Sequence, residues 1–246
     1  APCRQSQTQK KIPETDAIFE NIHSHNGPAD GMIRLSLDCK ATVNIGEFAR
    51  GGQTRGDHRA SDHDFSTDEK YIPCGMVDED SGQLYLVFGR SYKTSDFIVD
   101  TLQEWWTDLP PEQQQQTQSI QLKIDNGPES SGVRTQFLKR MVAFADEIGK
   151  PIHLLDYPPY HSKYNPIERC WGILEKHWNG AKLIDALTML LWAWSMTWKG
   201  LRPIVKLNLK VYQKGITLTK KAMRPIERRL ERNPLLPKWD ILIRPI

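Results

Sequence analysis

The sequence predicts an α/β fold in which helices flank a mixed central sheet. Three observations favour it: an unbroken strand alternation over 33–45, a hairpin pattern over 71–90, and two later strand segments that alternate with helical segments. Strands joined through a helix are expected to be parallel with right-handed crossovers, whereas the hairpin strands must be antiparallel. No segment approaches the roughly 20 apolar residues that span a bilayer, so no membrane partner is expected.

The first strand carries an acidic residue on its polar face. Apolar side chains alternate from Ile33 to Ile45, and Asp38 lies on the opposite face between Leu37 and Cys39. A carboxylate that is partly buried in a strand needs a charged partner or a metal ion. The hairpin that follows is predicted to turn at residues 79–82.

The later elements are read from helix signals and short alternations. A helix is predicted to begin after Thr94 or Ser95 and to stop before Pro110, and the glutamine-rich run at 111–118 is expected to be a surface linker. A strand ends at Asp125, a helical stripe closes at Gly149, and another strand follows. The last predicted helix, at about 181–198, is expected to bury a set of large apolar residues: Leu183, Leu187, Leu190, Leu191, Trp194 and Trp198, with Trp171 and Trp178 in the core of the preceding helix.

The net charge of +3 is unevenly distributed. From Lys199 to the end, 13 Lys and Arg residues stand against 3 Asp and Glu, a local excess of +10, so the rest of the chain is acidic. Either contact with phosphate or a solvated helix face explains such an excess. We therefore divide the chain into a lead-in segment at 1–30, a catalytic domain at 31–198 and a basic tail at 199–246.

The cysteine spacing bears on the cellular compartment, and the first residues bear on the extent of the chain. The four cysteines show neither CxxC spacing nor histidines at ligand spacing, which is typical of a protein from a reducing cytoplasm rather than of a zinc or disulfide scaffold. The first residues include no Met and no apolar signal segment, which indicates a fragment.

Three carboxylates are expected to meet at one edge of the sheet. Asp38 lies in the first strand, Asp125 ends the fourth, and Glu168 opens the helix after the fifth. Parallel strands gather their carboxyl ends at one edge, where ligands bind. Mg²⁺ prefers oxygen ligands, and two such ions about 4 Å apart can support an in-line phosphoryl displacement.

Glu168 and Asp125 each have an alternative interpretation, whereas Asp38 has none. Asn165, Pro166 and Glu168 also fit a capping box, in which the glutamate only stabilises the helix start. Glu175, two turns later, is a rival ligand, and Asp125 could serve only as a turn former before Asn-Gly. The loop at 57–64, with Asp57, His58, Asp62, His63 and Asp64, could hold a metal, although solvated side chains are the commoner outcome.

Three segments carry a resemblance to a known family: SLDCKATVNIGEF, LKIDNGPE and YPPYHSKYNPIERCWGILEKHWNG. Together with the closing RLERNPLLPKWDILIRP they resemble the catalytic domain of DDE insertion-sequence transposases in the mariner-related branch, most closely the Rhodopirellula-type transposase DDE family. The resemblance implies a ribonuclease H-like fold in which Asp38, Asp125 and Glu168 are the metal ligands. It further implies Mg²⁺, with Mn²⁺ as a substitute and two ions in the site. The implied reaction nicks transposon ends and then joins the freed 3′-hydroxyl to target DNA. The helix-turn-helix that would read the transposon ends is missing, so the chain resembles a catalytic half.

The expected partners are double-stranded DNA and further copies of the chain. Contacts to the DNA backbone position a protein without reading sequence, and basic or polar residues near the site or in the tail are the candidates. They are Lys40, Arg50, Arg55, Arg59, His161, Lys163, Lys220, Lys221, Arg224 and Arg228. The expected location is the bacterial cytoplasm, in association with the nucleoid.

Two other functions fit the same residues. One is a ribonuclease H-like nuclease that hydrolyses DNA without joining it. The other is an inactive, domesticated DNA-binding remnant, which the presence of all three carboxylates disfavours.

Overall fold

The architecture is a mixed nine-stranded sheet covered by helices on both faces, as the computed structural model of the chain shows for residues 11–47 and 69–246. The helices are α1 Thr15–Ser24, α2 Ser95–Asp108, α3 Pro111–Gln116, α4 Thr135–Ile148, α5 Ile167–Trp178, α6 Ala186–Ser195 and α7 Lys220–Glu227. The strands are β1 Met32–Cys39, β2 Val43–Asn44, β3 Lys70–Asp78, β4 Leu84–Gly89, β5 Ser119–Asp125, β6 Ile152–Tyr157, β7 Ile204–Asn208, β8 Leu230–Arg232 and β9 Asp240–Ile243.

The strand order is β7-β4-β3-β1-β5-β6-β9-β8, and β2 pairs with β3. β1, β5 and β6 are parallel neighbours, whereas β1, β3 and β4 form an antiparallel meander. The β-α-β segments produce the parallel strands because each crossover helix returns the chain to the same end of the sheet. The predicted combination of an antiparallel hairpin and later parallel strands is therefore confirmed.

Two large apolar cores lie on opposite faces of the sheet. α2 and α4 cover one face together with the apolar side of β1, including Leu35 and Leu37. α5 and α6 cover the other face, where Trp171 and Trp178 are buried as predicted. A smaller cluster joins α1 to β6. Because helices cover both faces, the polar face of β1 is also buried, and Arg34 and Ser36 are hidden from solvent.

Local sequence signals fix several helix ends. Thr94 caps α2, since its hydroxyl accepts a hydrogen bond from the Phe97 N–H at 3.1 Å. Gly149 ends α4 with φ at +65°, a left-handed conformation that glycine adopts at low cost. The hairpin turn predicted at 79–82 falls between β3 and β4.

Two sequence expectations about the helices are wrong. The glutamine-rich run is not a linker, because Pro111–Gln116 forms the short helix α3. The last predicted helix is shorter than expected and turns a different face inward. Met189 and Ala193 are its buried residues, whereas Leu187 is 63% exposed and Trp194 is 47% exposed. Leu183 is buried as predicted, and Leu191 is exposed.

Residues 199–246 do not form a separate tail. β7 adds in parallel to β4 at one edge of the sheet, while β9 pairs with β6 and β8 pairs with β9 at the other edge. α7 packs beside α4, where Met223 and Ile226 reach the main core. In the lead-in segment, α1 likewise packs against β6. The segments on either side of the predicted catalytic domain are thus built into the same fold.

None of the helices in the described part of the chain combines the length and the apolar composition of a membrane span.

Candidate metal centre

Asp38, Asp125 and Glu168 converge at the carboxyl end of the parallel strands. Asp38 lies in β1, Asp125 is the last residue of β5, and Glu168 is in the first turn of α5. β1 and β5 are paired in register with Leu37 opposite Ile124, so the two aspartates are brought side by side one residue later. One carboxylate oxygen from each of the three residues lies within 4.8 Å of the others. Within residues 11–47 and 69–246, no other group of three such ligands is found.

Burial and mutual repulsion raise the pKa of both aspartates. Burial raises the pKa of Asp38 to about 6, with a further contribution from the Glu168 carboxylate. Burial likewise raises the pKa of Asp125 to about 7, and the Asp38 and Glu168 carboxylates add to the effect. Carboxylates that crowd together at low dielectric favour protonation unless a cation joins them. This electrostatic arrangement is suited to a divalent cation, which would neutralise the charge.

Two neutral donors hold the aspartates in place. The Trp171 Nε1–H donates to Asp38 Oδ2 at 3.3 Å. The Asn165 amide donates to the Leu37 carbonyl at 3.0 Å and to Asp125 Oδ1 at 3.3 Å, and it thereby connects β1, β5 and the start of α5. Asn165 is completely buried. The alternative in which the Asn165 side chain caps α5 is therefore wrong, because its amide points to the strands. Only the Asn165 backbone carbonyl bonds to the helix, where it accepts a hydrogen bond from the Glu168 N–H at 3.0 Å.

Lys93 is a cation of the site that sequence reasoning missed. Its ammonium group lies 3.5 Å from the Cys39 carbonyl. Burial tends to lower the pKa of Lys93, but the nearby Cys39 and Cys74 thiols and the Asp38 and Asp125 carboxylates outweigh burial and raise it. Lys93 is thus held charged beside the aspartates. No motif in the sequence distinguishes it from an ordinary loop lysine.

The rival acidic residue is engaged elsewhere. Glu175 forms an ion pair with Lys40 at 2.7 Å and accepts a hydrogen bond from Trp178 Nε1–H at 2.9 Å. It is not one of the three clustered ligands. Asp125 does take part in the turn expected of it, since its carbonyl accepts from the Gly127 N–H at 2.7 Å. Turn formation and membership of the cluster are therefore compatible.

The predicted DNA contacts occupy different surroundings. Lys163 is exposed next to the Tyr164 ring, and Lys40 is paired with Glu175. His161 is only 2% exposed and packs between Phe19 and Tyr164, so its burial argues against the contact predicted for it. Four residues of the α7 region are exposed: Lys220, Lys221, Arg224 and Arg228. Outside the described residues lie Arg50, Arg55, Arg59 and the Asp-His loop at 57–64.

The α7 residues lie on the side of the sheet that carries α4. The Leu218 N–H donates to Thr135 Oγ1 at 3.0 Å at the start of both helices, and Arg229 pairs with Asp146 at 2.6 Å near their ends. α7 therefore runs parallel to α4. Because α4 follows the carboxyl end of β5, the Lys220 end of α7 is the one nearer to the carboxylate cluster.

Comparison with known proteins agrees with this geometry. The family model described as the Rhodopirellula transposase DDE domain matches residues 2–245. The chain belongs to this family. No curated protein sequence matches the chain. A structure of the Mos1 transposase paired-end complex with the left transposon end is similar to this transposase DDE domain, with a TM-score of 0.54 and 7% identity over 78% of this chain and 57% of the Mos1 chain.

Two further solved structures match the transposase DDE domain more weakly. A Mos1 mariner paired-end complex with Mn gives a TM-score of 0.48 at 10% identity, covering 78% of this chain and 57% of that chain. A simian T-cell lymphotropic virus intasome, solved with the PP2A regulatory subunit B56 gamma, gives 0.41 at 16% identity, covering 67% and 47%. The transposase DDE domain thus spans less than two thirds of these chains. Its fold is ribonuclease H-like, as the resemblance implied.

Proposed function

We propose that this transposase DDE domain nicks DNA at transposon ends and joins the freed 3′-hydroxyl to target DNA. The observation that carries the proposal is the convergence of Asp38, Asp125 and Glu168, whose oxygens lie within 4.8 Å of one another at the carboxyl ends of parallel strands. Membership of the DDE family supports the same assignment. The domain would act as the catalytic part of a longer reaction assembly.

The cofactor proposed for this site is Mg²⁺, with Mn²⁺ as a substitute and two ions in the centre. The donor set fits, because all three ligands are hard oxygen donors and their crowding is costly without a cation. When bound, such ions activate an attacking oxygen and stabilise the leaving oxygen in phosphoryl displacement. Asp38, Asp125 and Glu168 would hold them.

The chain itself supplies position and charge. Asn165 and Trp171 fix the two aspartate side chains by hydrogen bonds, so little reorganisation is needed when a cation and a phosphate arrive. Lys93, charged and beside both aspartates, is placed to lower the repulsion between the cluster and an approaching phosphate. No protein nucleophile is required, since water and then the DNA 3′-hydroxyl attack.

The proposed partner is double-stranded DNA, bound through its backbone. Lys220 and Lys221 are suitable for phosphate contacts because they are exposed at the end of α7 nearer to the carboxylate edge, and Lys163 is exposed in the segment that leads into α5. Arg224 and Arg228 would extend these contacts along α7. Arg50, Arg55, Arg59 and Lys40 remain proposals of the same kind. The proposed location, in the bacterial cytoplasm and on the nucleoid, follows from this substrate.

We also propose that the domain works as a homo-oligomer. The supporting observation is the outward face of α6, on which Leu187, Leu191 and Trp194 are exposed at spacings of four and three residues. Such a spacing places them on one side of the helix, and α6 contains no charged residue that would keep this side in water. Apolar surface of this kind is typical of a protein contact.

The test is a pair of assays on DNA carrying a transposon end. One measures Mg²⁺-dependent nicking, and the other measures joining of a pre-nicked end with a free 3′-hydroxyl. We expect the unsubstituted domain to do both, and Asp38→Ala or Asp125→Ala to do neither while remaining folded. Nicking without joining would identify a nuclease instead. Full activity in either variant would refute the ligand assignment, and inactivity together with no metal binding would identify a remnant.

A further inference from the structure

A cavity of about 600 Å³ lies on the sheet face that carries α1 and α5, and its lining residues Lys123 and Arg169 are within two residues of Asp125 and Glu168. Its floor is the polar face of β1 and β5, where Arg34 and Lys123 lie in line with Asp38 and Asp125. Lys123 and Asp125 are two residues apart on the same side of β5, a separation of about 7 Å along a strand. Arg169, which lines the cavity, directly follows Glu168. The cavity therefore begins about one nucleotide away from the metal ligands.

The floor of the cavity is charged but internally balanced. Arg34 pairs with both carboxylate oxygens of Asp80, and its Nη1–H donates to the Asn26 carbonyl at 2.6 Å. Lys123 pairs with Glu79 at 2.8 Å. Two buried cations are thus matched by two carboxylates, as buried charges require. The floor forms a rigid polar platform that carries almost no net charge.

The surplus positive charge lies at the mouth of the cavity. Arg169 and Lys199 both line it, and both are exposed. With the floor balanced, these two residues give the cavity an excess of about two positive charges. A ligand that carries one or two negative charges is therefore complementary to it.

The walls of the cavity are aromatic. Phe19, Tyr164 and Trp198 line it, and the Phe19 and Tyr164 rings meet edge to face with centroids 4.9 Å apart. Half of the Tyr164 surface remains exposed. The His161 ring stacks on Tyr164, and the exposed Lys163 Nζ lies 5.1 Å from the Tyr164 ring centroid, so an incoming base would take the place of the Lys163 side chain over the ring. An aromatic surface next to cations is the combination that binds the bases and phosphates of single-stranded nucleic acid.

We propose that this cavity, defined by Tyr164, Arg169, Lys199 and the polar floor, holds one unpaired nucleotide of the DNA strand that passes the metal site. The base stacks on Tyr164, and the phosphate contacts Arg169 and Lys199. A cavity of about 600 Å³ accepts a single nucleotide but not a base pair with its duplex neighbours. The position next to Glu168 favours a strand nucleotide adjacent to the reacting phosphate over a soluble ligand. The inference rests on the proposed function, because it assumes that DNA reaches the carboxylates.

The test compares two short duplexes of the same arbitrary sequence, one blunt and one with a single unpaired 2-aminopurine nucleotide at a 3′ end. Binding is measured by fluorescence anisotropy in EDTA, and stacking is measured by quenching of the 2-aminopurine. We expect the overhang to bind more tightly than the blunt end and to be quenched. Tyr164→Ala and Arg169→Gln should weaken overhang binding by about 5- to 100-fold while leaving the blunt duplex unchanged.

Two matched variants sharpen the comparison. Tyr164→Phe keeps the stacking ring and should behave as the unsubstituted protein. Arg202→Gln removes a positive charge that stacks on Trp194, away from the cavity, and should affect both duplexes alike. Free deoxyadenosine monophosphate that displaces the overhang, with the same dependence on Tyr164, would extend the proposal to soluble nucleotides. Failure to displace it, with the overhang effect intact, would assign the cavity to the DNA strand.

Equal affinity for the two duplexes, or equal losses on both in Tyr164→Ala and Arg169→Gln, would overturn the proposal. Metal-dependent nicking is measured in parallel to separate the two claims. Normal nicking without any preference for the overhang would contradict only the nucleotide cavity. Preference for the overhang without nicking would contradict only the proposed catalytic function.

Discussion

Replacing Asp125 with Asn should make the metal-free protein more stable while it destroys metal binding. In the folded protein the pKa of Asp125 is raised to about 7, whereas the ordinary pKa of an aspartate is 3.8. Because the folded-state pKa is raised, the charged carboxylate opposes folding. The cost is absent below about pH 4 and grows until the pH exceeds about 7. The difference between a pKa of about 7 and one of 3.8 corresponds to at most about 4 kcal/mol of unfolding free energy at pH 8.

The benefit of Asp125→Asn should be smaller than this limit, because Asp38 and Asp125 share their repulsion and the site is partly solvated. We expect a gain of about 1–3 kcal/mol at pH 8, or a rise of about 2–10 °C in Tm for a chain of this size. At pH 4 the gain should be close to zero.

The assay is thermal unfolding in EDTA at pH 4 and pH 8, repeated with Mn²⁺. Asp30→Asn, which neutralises an exposed aspartate, is the matched control and should leave Tm unchanged. Mn²⁺ should raise the Tm of the unsubstituted protein but not that of Asp125→Asn. If the Tm of Asp125→Asn at pH 8 in EDTA is equal to or lower than that of the unsubstituted protein, burial and repulsion of the Asp125 carboxylate do not destabilise the fold.

Three further predictions test other parts of the account. Asn165→Ala should lower the free energy of unfolding by about 1–3 kcal/mol, because it leaves the Leu37 carbonyl without its donor. It should also weaken Mn²⁺ binding measured by calorimetry, and an unchanged affinity would show that the amide does not position Asp125. Removing the charges of Lys220, Lys221 and Arg224 should reduce the slope of the logarithm of the duplex-binding constant against the logarithm of salt concentration by about 0.9 per lost phosphate contact. An unchanged slope in a folded variant would exclude α7 from the DNA interface. Leu191→Glu should shift the protein toward monomer in sedimentation without lowering Tm; an unchanged sedimentation profile would exclude the α6 face from self-association.

The carboxylate cluster could be predicted from the sequence because topology determines it. Once β1 and β5 are recognised as strands of one parallel set, residues at their carboxyl ends must meet, and Glu168 follows the next strand in the chain. Local chemistry pointed to the wrong role for Asn165. An Asn before Pro at a helix start is normally a cap, yet two long-range acceptors on β1 and β5 hold its side chain instead.

The edges of the fold were not predictable for a different reason. β7, β8 and β9 are only three to five residues long and lie within a region that carries 13 Lys and Arg residues, so they resemble parts of a solvated tail until their pairing partners are known. The inward face of α6 was equally hidden, because a helix with apolar residues on every side gives no stripe that separates inside from outside. Lys93 has no sequence signature, since only the fold brings it beside Asp38.

The pairing of β7, β8 and β9 with the central sheet determines which experiment can test the basic C-terminal region. Deletion after Trp198 would remove β7 from one edge of the sheet and β8 and β9 from the other, so it would test folding rather than DNA binding. Point substitutions on exposed α7 residues leave these strands intact. They therefore isolate the electrostatic contribution to DNA binding.

We propose that Asp38, Asp125 and Glu168 together hold divalent cations. An anomalous difference map from Mn²⁺-soaked crystals at pH 8 tests it most directly, with Glu168→Gln crystals as the matched comparison. We predict two peaks about 4 Å apart among these three side chains in the unsubstituted protein, and the loss of at least one of them in Glu168→Gln. A map with no peak among these three side chains, or with Mn²⁺ held by Glu175 instead, would contradict the account.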